Sequence, residues 1–576
     1  MADRPDTGRL GDFGLKPPVT KPPSGVVPKP PVTQPPEPPL VAPPGGAMGP
    51  DPTLASWAHF GLEIGGWRRP VDAIYDSGTH KYKADYIHPR HYRLTLDAGI
   101  GLGLNLPKAV GVAVSPGKDP SLGPGDDVGV VGDPGGVGGG APIPTNLVAF
   151  SWNVATPDGR FHDTKIVKRP VKPMEIAVFD LPAREDTYDV RLRVHFNDGR
   201  FAERTVRFDV QERFIVSLGD SSASGQGNPD WQSTPGLGIA GITDCDYPTI
   251  AIFLELEPDP SNDAQWVEPK AWRSMKSAPA VAARQLENVR GQTNFPSDEV
   301  NHFSFTRIAF ASFARSGAEV LRGLIEPQGG ADDFLGIGQV EECRRTAAGR
   351  HIDALMIDIG GNDAGFSDVL KDLVSKDTVY TGSLKGTVKA LALAAIEGPP
   401  GVDKLGRDQV EKRLSALLGE GLPEGERGQL EQNYDVLYGL VEELKTNPGV
   451  GEVYITGYPI GLFDYRKPDG TVGFKSCGIF EGPDMDMTGA DGRLIKRVGR
   501  LLNELIARKA GDFEWHYVDV EKEFEGHGYC SAEPFWRTAS ESCKTQGDFE
   551  GTMHPNADGV EAWATKFVDA MRTHGF

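Results

Sequence analysis

Five cysteines in 576 residues are too few for the disulfide framework that holds short secreted domains together. All five, Cys245, Cys343, Cys477, Cys530 and Cys543, fall in the C-terminal two thirds, and the odd number leaves at least one thiol unpaired. No run of roughly 18 apolar residues occurs, the length a helical membrane span needs. The nearest approach, Ala98 to Val114, is broken by glycines and by Asn105, Pro107 and Lys108, so no transmembrane helix is expected. Basic residues are in the minority, 60 Lys and Arg against 81 Asp and Glu, and a net charge of −21 has the wrong sign for neutralising nucleic-acid phosphates. The opening MADRPDTGRLGDFGLK has no basic start followed by an apolar stretch, so no classical secretory signal is expected. Acidic residues abound, yet none is grouped with His or Cys at ligand spacing, and neither a metal nor another cofactor is expected.

Proline and glycine are plentiful, 47 and 72, and their placement divides the chain. Residues 1–50 carry KPPVTKPPSGVVPKPPVTQPPEPP, a disordered arm that populates polyproline II and serves as a spacer or a docking ligand. Residues 51–98 regain aromatics, among them Trp57, Tyr75, Tyr82, Tyr86 and Tyr92, and form a small module of unassigned type. Residues 99–145 surround GPGDDVGVVGDPGGVGGG and read as a flexible linker. Over 146–211, short runs such as LVAFSWNV and YDVRLRVHF are separated by turn signals at Pro157-Asp158-Gly159 and Asn197-Asp198-Gly199. They predict a small all-β, immunoglobulin-like sandwich that binds a ligand or holds its neighbour at a distance.

From residue 212 the pattern changes to buried apolar strands, FIVSLGD, DALMIDIGGND, EVYITGYP and FEWHYVDV, interleaved with helical stretches such as GRLIKRVGRLLNELIARKA. This alternation predicts an α/β fold over 212–576, a three-layer, doubly wound parallel sheet whose sites gather beyond the carboxyl ends of its strands. A helical insertion over 367–450 follows the second of these runs and acts as a lid or as extra packing on one face.

Three short motifs carry chemistry. Gly219-Asp220-Ser221 sits where the first strand meets a small-residue loop, a place that exposes a serine hydroxyl. Gly360-Gly361-Asn362-Asp363 ends the second strand; its asparagine amide can donate to a developing oxyanion. His554, in GTMHPNADGVEAWATKF, stands just before a C-terminal helix that begins around Asp558. Each alone is common in turns, and their order at strand ends gives them weight together.

With these blocks the chain resembles the SGNH (GDSL-like) hydrolase family, the secreted bacterial lipase and esterase branch in particular. The matching positions are GDS at 219–221, Gly317 in ARSGAEV, GGND at 360–363 and HPN at 554–556, all within 212–576. The resemblance implies Ser221 as nucleophile and His554 as general base. It implies an oxyanion hole from the N–H groups of Ser221 and Gly317 and the amide of Asn362. The family usually has an acid three residues before its histidine, where this chain has Gly551. Three groups stand open to orient His554: a backbone carbonyl near Gly551, Asp548 or Glu550. A local Cys530–Cys543 bridge also fits the resemblance, as does an extracytoplasmic address reached without a classical signal.

Three functions follow as expectations. The first is a serine esterase acting on acyl lipids. The second keeps the chemistry for acetylated glycans, as a carbohydrate O-acetylesterase. The third is an adhesion or assembly protein with an inactive hydrolase fold, which the proline-rich arm and the missing acid at 551 favour.

Overall fold

A computed structural model describes residues 59–63, 74–97, 147–168, 176–196, 201–233, 264–291, 301–329, 334–365, 416–419, 421–423, 425–475, 489–548 and 550–576. The arm expected over 1–50, the linker over 99–145 and most of the insertion over 367–450 lie outside them. In chain order the longer strands are β1 (His59–Glu63), β2 (His91–Asp97), β3 (Leu147–Ala155), β4 (His162–Lys168), β5 (Ile176–Pro182), β6 (Asp186–Phe196), β7 (Phe201–Gly219), β8 (Asn288–Gly291), β9 (Asn301–Ser312), β10 (Ile352–Asp358), β11 (Val450–Thr456) and β12 (His516–Val518). The helices are α1 (Ala84–Ile87), α2 (Ser221–Ser224), α3 (Ala278–Leu286), α4 (Gln339–Ala347), α5 (Gln429–Thr446), α6 (Gly489–Asp512), α7 (Ala539–Gln546) and α8 (Ala557–Thr573).

β7 organises the fold because its two halves have different neighbours on one edge. Residues 201–210 pair antiparallel with β6, and residues 215–219 pair in parallel with β10. Along the other edge β9 runs parallel to β7 from Val206 to Ser217. The second half therefore lies in a parallel array β9-β7-β10-β11-β12, which in chain order is 2-1-3-4-5, a doubly wound arrangement. Phe214, Ile215, Val216, Ser217 and Leu218 are all fully buried there, which is why the run reads as continuously apolar. The general rule that such crossovers are right-handed assigns α3 to one face and α4, α5 and α6 to the other, and the helix contacts agree with it. α8 returns to pack on α3, and α5 contacts both α4 and α6. The direction of winding reverses between β7 and β10, so their carboxyl ends open on a crevice.

α8 shows how sequence sets an element. Asn556 caps it by accepting the Gly559 N–H (3.0 Å), and Val560, Trp563, Ala564, Phe567, Val568 and Met571 fall on one buried face. α5, the last part of the insertion, is a packing helix: Tyr434, Leu437 and Val441 are buried, and the Tyr434 hydroxyl donates to the Ile359 carbonyl (2.7 Å).

The strands of 146–211 are shared between two sheets. β3, β4 and β6 extend the large sheet through β7, whereas β5 pairs with β2, and β2 with β1, in a separate three-stranded antiparallel sheet. The segment 51–98 thus supplies strands to the same unit. The boundary expected between 211 and 212 falls inside β7, where the backbone continues unbroken. The same N-terminal segment also reaches the parallel array. Tyr82 and Tyr86 lay their hydroxyls along β9, each accepting a backbone N–H and donating to the carbonyl of the same residue, Ser312 and Phe310. No helix among the described residues is long and apolar enough to cross a membrane.

Candidate active site

The Gly219-Asp220-Ser221 turn is built by close approach. A Cβ on Gly219 would stand 2.2 Å from the Asp358 carbonyl, so only glycine lets β7 end this close to β10. Gln339 of α4 clamps that glycine with both halves of its amide, accepting the Gly219 N–H and donating to its carbonyl, each at 2.8 Å. Asp220 caps α2 by accepting the Ser222 N–H (3.0 Å), which leaves Ser221 at the first helical position with its N–H directed away from the helix.

Asp220 has a second partner. Tyr458, from the strand-end segment ITGYP, donates its hydroxyl to Asp220 Oδ2 (2.5 Å) and accepts the Gly361 N–H (3.0 Å). One tyrosine thereby ties the serine turn to the asparagine turn. Burial raises the Asp220 carboxyl to about 7, against the pull of its bonds from Tyr458 and Ser222. Burial, with Asp220 alongside, pushes Asp358 well above the carboxylate range.

Facing this turn are the loop after β9 and the loop after β10, which carry Gly317 and Asn362. Asn362 Nδ2 donates to the Ala318 carbonyl (2.9 Å), which fixes the amide beside Gly317 and leaves its second hydrogen for another acceptor. Asp363 holds the same loop by accepting the Val320 N–H (2.9 Å), and burial raises its carboxyl to about 6. Gly317 has φ +73° and is exposed. Among the described residues, the backbone N–H groups of Ser221 and Gly317 have no hydrogen-bond partner.

His554 lies on the loop between α7 and α8, and this loop docks on the residues that follow α2. Asn228 Nδ2 donates to the Pro555 carbonyl (2.7 Å), the Gly227 N–H to Gln546 Oε1 (2.9 Å), and Gln226 Nε2 to the Glu550 carbonyl (2.9 Å). Arg537 pairs with the backbone on both sides of the histidine, its N–H donating to the His554 carbonyl and its carbonyl accepting the Met553 N–H. No hydrogen bond joins the Ser221 hydroxyl to the imidazole. Such bonds are commonly long before substrate binds.

The geometry around position 551 accounts for the missing acid. A Cβ on Gly551 would stand 2.7 Å from both Gly227 Cα and Gln546 Oε1, so no side chain fits. The Asp548 carboxylate accepts the Glu550 N–H (2.8 Å) and the Gln546 amide (2.5 Å), and Glu550 is exposed. His554 Nδ1 is buried without an ordinary hydrogen bond. Burial pushes the imidazole down to about 4; the nearby carbonyls of Thr552 and Gly551 oppose this, and Arg537 adds to it. Cys530 and Cys543 are both half-cystines, and Cys343 is a buried free thiol. Among the described residues no cluster of three His, Cys, Asp or Glu side chains has the arrangement of a metal site.

Sequence reasoning missed Gln226, Gln339, Tyr458 and Arg537. Gln226 and Tyr458 lie inside the motif-bearing runs GDSSASGQG and ITGYP, but nothing local says what a buried amide or phenol will meet across the sheet.

No family model matches the chain. A lipase from Streptomyces rimosus is 25% identical over 222 residues, 38% of this chain and 61% of the lipase, so the chain spans about three fifths of that relative's length. Among solved structures, the extracellular lipase from Streptomyces rimosus is 20% identical, with 63% of this chain and 99% of that one covered at a TM-score of 0.34. Phospholipase A1 from Streptomyces albidoflavus is 18% identical, with 63% and 98% covered at 0.33. A carbohydrate esterase of family 2 with a carbohydrate-binding domain, from Corynascus thermopiles, is 12% identical, with 74% and 92% covered at 0.27. In the four sequence blocks, in order at the ends of β7, β9 and β10 and before α8, and in the partial match to the lipase, the chain is similar to the SGNH (GDSL-like) hydrolases.

Proposed function

We propose that the protein hydrolyses carboxylic esters of acyl lipids through an acyl-enzyme on Ser221. The observation that carries this reading is the pair of unpartnered N–H groups on Ser221 and Gly317 beside an Asn362 amide held by Ala318. Ser221 Oγ attacks the carbonyl carbon while His554 takes its proton, and the three donors stabilise the oxyanion. Collapse breaks the bond to the alcohol, which leaves with the proton from His554. Water, deprotonated by the same imidazole, then releases the acid and restores the serine. The carbonyls of Gly551 and Thr552 take the place of a third carboxylate, making a Ser-His dyad. The curated relative named lipase favours an acyl lipid.

The test is hydrolysis of chromogenic esters from acetyl to long acyl chains, together with labelling by a fluorophosphonate probe. Cleavage rising with chain length and labelling at Ser221 are expected. Activity confined to acetyl esters would move the substrate to O-acetylated glycans, and a folded protein that neither cleaves nor labels would leave only a non-enzymatic hydrolase fold.

Asn362→Ala should lower kcat by about 10²–10³-fold with KM little changed, because the donor acts chiefly on the oxyanion. Steady-state kinetics on one ester decides this. The pH dependence has a definite sign. The protonated ring cannot accept the serine proton, and its folded value of about 4 lies below the ordinary 6.5. The acid limb of kcat/KM should therefore fall well below pH 6.5. The same shift contributes stability that is present above 6.5 and lost as the pH falls toward 4, because the unfolded chain binds the proton first.

A further inference from the structure

The serine turn, the loop after β9 and the histidine loop come from distant parts of the chain, and one buried residue reaches all three, the first through its backbone and the other two through its side chain. Gln226 follows α2, and its backbone N–H donates to the Ser221 carbonyl (3.1 Å). Its Oε1 accepts the hydroxyl of Ser316 (2.6 Å), the residue before Gly317. Its Nε2 donates to the carbonyl of Glu550 (2.9 Å), the residue before Gly551, whose own carbonyl faces the His554 ring. We propose that Gln226 is a positioning residue that holds the general base and the oxyanion donors in register with Ser221.

The two ends of the amide are not interchangeable. Ser316 offers a hydroxyl whose acceptor lies on Gln226, and its carbonyl is already taken by the Gln328 amide (2.7 Å). Glu550 offers only a carbonyl, so position 226 must present a donor there. A carboxylate at 226 keeps the bond from Ser316 and sets two oxygens against each other on the histidine side. A thioether of similar length loses both bonds. The charged and titratable side chains on the segments that meet the amide are Asp220, Arg315, Glu319, Arg537, Asp548, Glu550 and His554; Asp220 is held by Tyr458 and Arg315 by Glu342, and the amide's own bonds run to the Ser316 hydroxyl and the Glu550 backbone carbonyl.

This inference rests on the esterase reading for its kinetic arm and stands apart from it in a second arm. Gln226→Met should lower kcat by about 10²-fold with KM within about twofold, the loss a misplacement near 1 Å produces. Gln226→Glu should show the same loss at neutral pH. As the pH falls its activity relative to the parent should recover, because the protonated carboxyl again donates to the Glu550 carbonyl. Ser316→Ala, which removes only the oxyanion-side bond, should cost less than Gln226→Met, and the double variant no more than Gln226→Met alone. Hydrogen exchange requires no substrate: in Gln226→Met, peptides covering 313–320 and 547–556 should both exchange faster. Unchanged kcat in Gln226→Met, no pH-dependent recovery in Gln226→Glu, or faster exchange in only one loop overturns the assignment. A parent protein that cleaves no ester while both loops still loosen together refutes the esterase reading and leaves the coupling standing.

Discussion

Ser221→Ala and His554→Ala should each reduce kcat on the preferred ester by about 10⁴–10⁶-fold, and the double variant should be no worse than either alone. Nucleophile and base act as one unit, so removing one makes the other useless, and the residual rate comes from binding and the oxyanion donors. The informative comparison is with the carboxylates near the histidine loop. Asp548→Asn keeps an oxygen for the Glu550 N–H and the Gln546 amide, so the loop should survive. If Asp548 oriented the imidazole, its amide would cost about 10⁴-fold, as loss of a triad acid does. In the dyad reading Asp548→Asn and Glu550→Gln stay within about tenfold of the parent. A large loss in either variant, with unchanged melting, would replace the carbonyl dyad by a triad.

The second large effect is on stability, far from the chemistry. Tyr82→Phe should destabilise the fold by about 2–4 kcal/mol, and Tyr86→Phe by a similar amount, because each leaves a buried N–H and a buried carbonyl on β9 without a partner. Phe310 is fully buried and Ser312 nearly so, which limits how well water can compensate. Burial has already pushed the Tyr86 hydroxyl up to about 12, so it remains a donor throughout the accessible pH range. The two rings stack with centroids 6.0 Å apart, so the double variant should cost less than the sum. Urea unfolding monitored by tryptophan fluorescence reads the midpoint. A shift equivalent to less than about 1 kcal/mol for the double variant would mean that the backbone of β9 is satisfied in some other way.

These hydroxyls take the place of a missing strand. Beyond the short pairing of β8 with residues 303–306, the outer edge of β9 would present open donors and acceptors, and two tyrosines from the N-terminal segment occupy them at alternate residues. That segment is accordingly part of the same fold as β9, although nothing in its composition distinguishes it from a separate small module. Tyr92 of β2 extends the attachment by donating to Glu212, which also receives Arg307 and Arg350.

How much was legible depends on range. Gly219-Asp220-Ser221 and the GGND turn could be placed at strand ends because a strand followed by small residues is a local pattern. The departure at Gly551 was visible as a departure, but its cause, the 2.7 Å approach to Gly227, requires two loops more than 300 residues apart to meet. Similarly, the change from alternation to a continuous apolar run near residue 212 reports a change in what covers the strand. It carries no information on whether the backbone breaks there, and β7 runs straight through.

By itself the sequence determined the alternation of strand and helix after residue 212 and the place of each of the four blocks beside a strand end or a helix start. Each of these is fixed by residues within a few positions of one another. Only the tertiary structure decided that β7 carries an antiparallel and a parallel array in one sheet, that two tyrosines close an edge, and that Tyr458 and Gln226 tie the loops together. Those outcomes depend on which buried donors and acceptors find each other, and a buried polar group must take whatever partner the folded chain brings within about 3 Å.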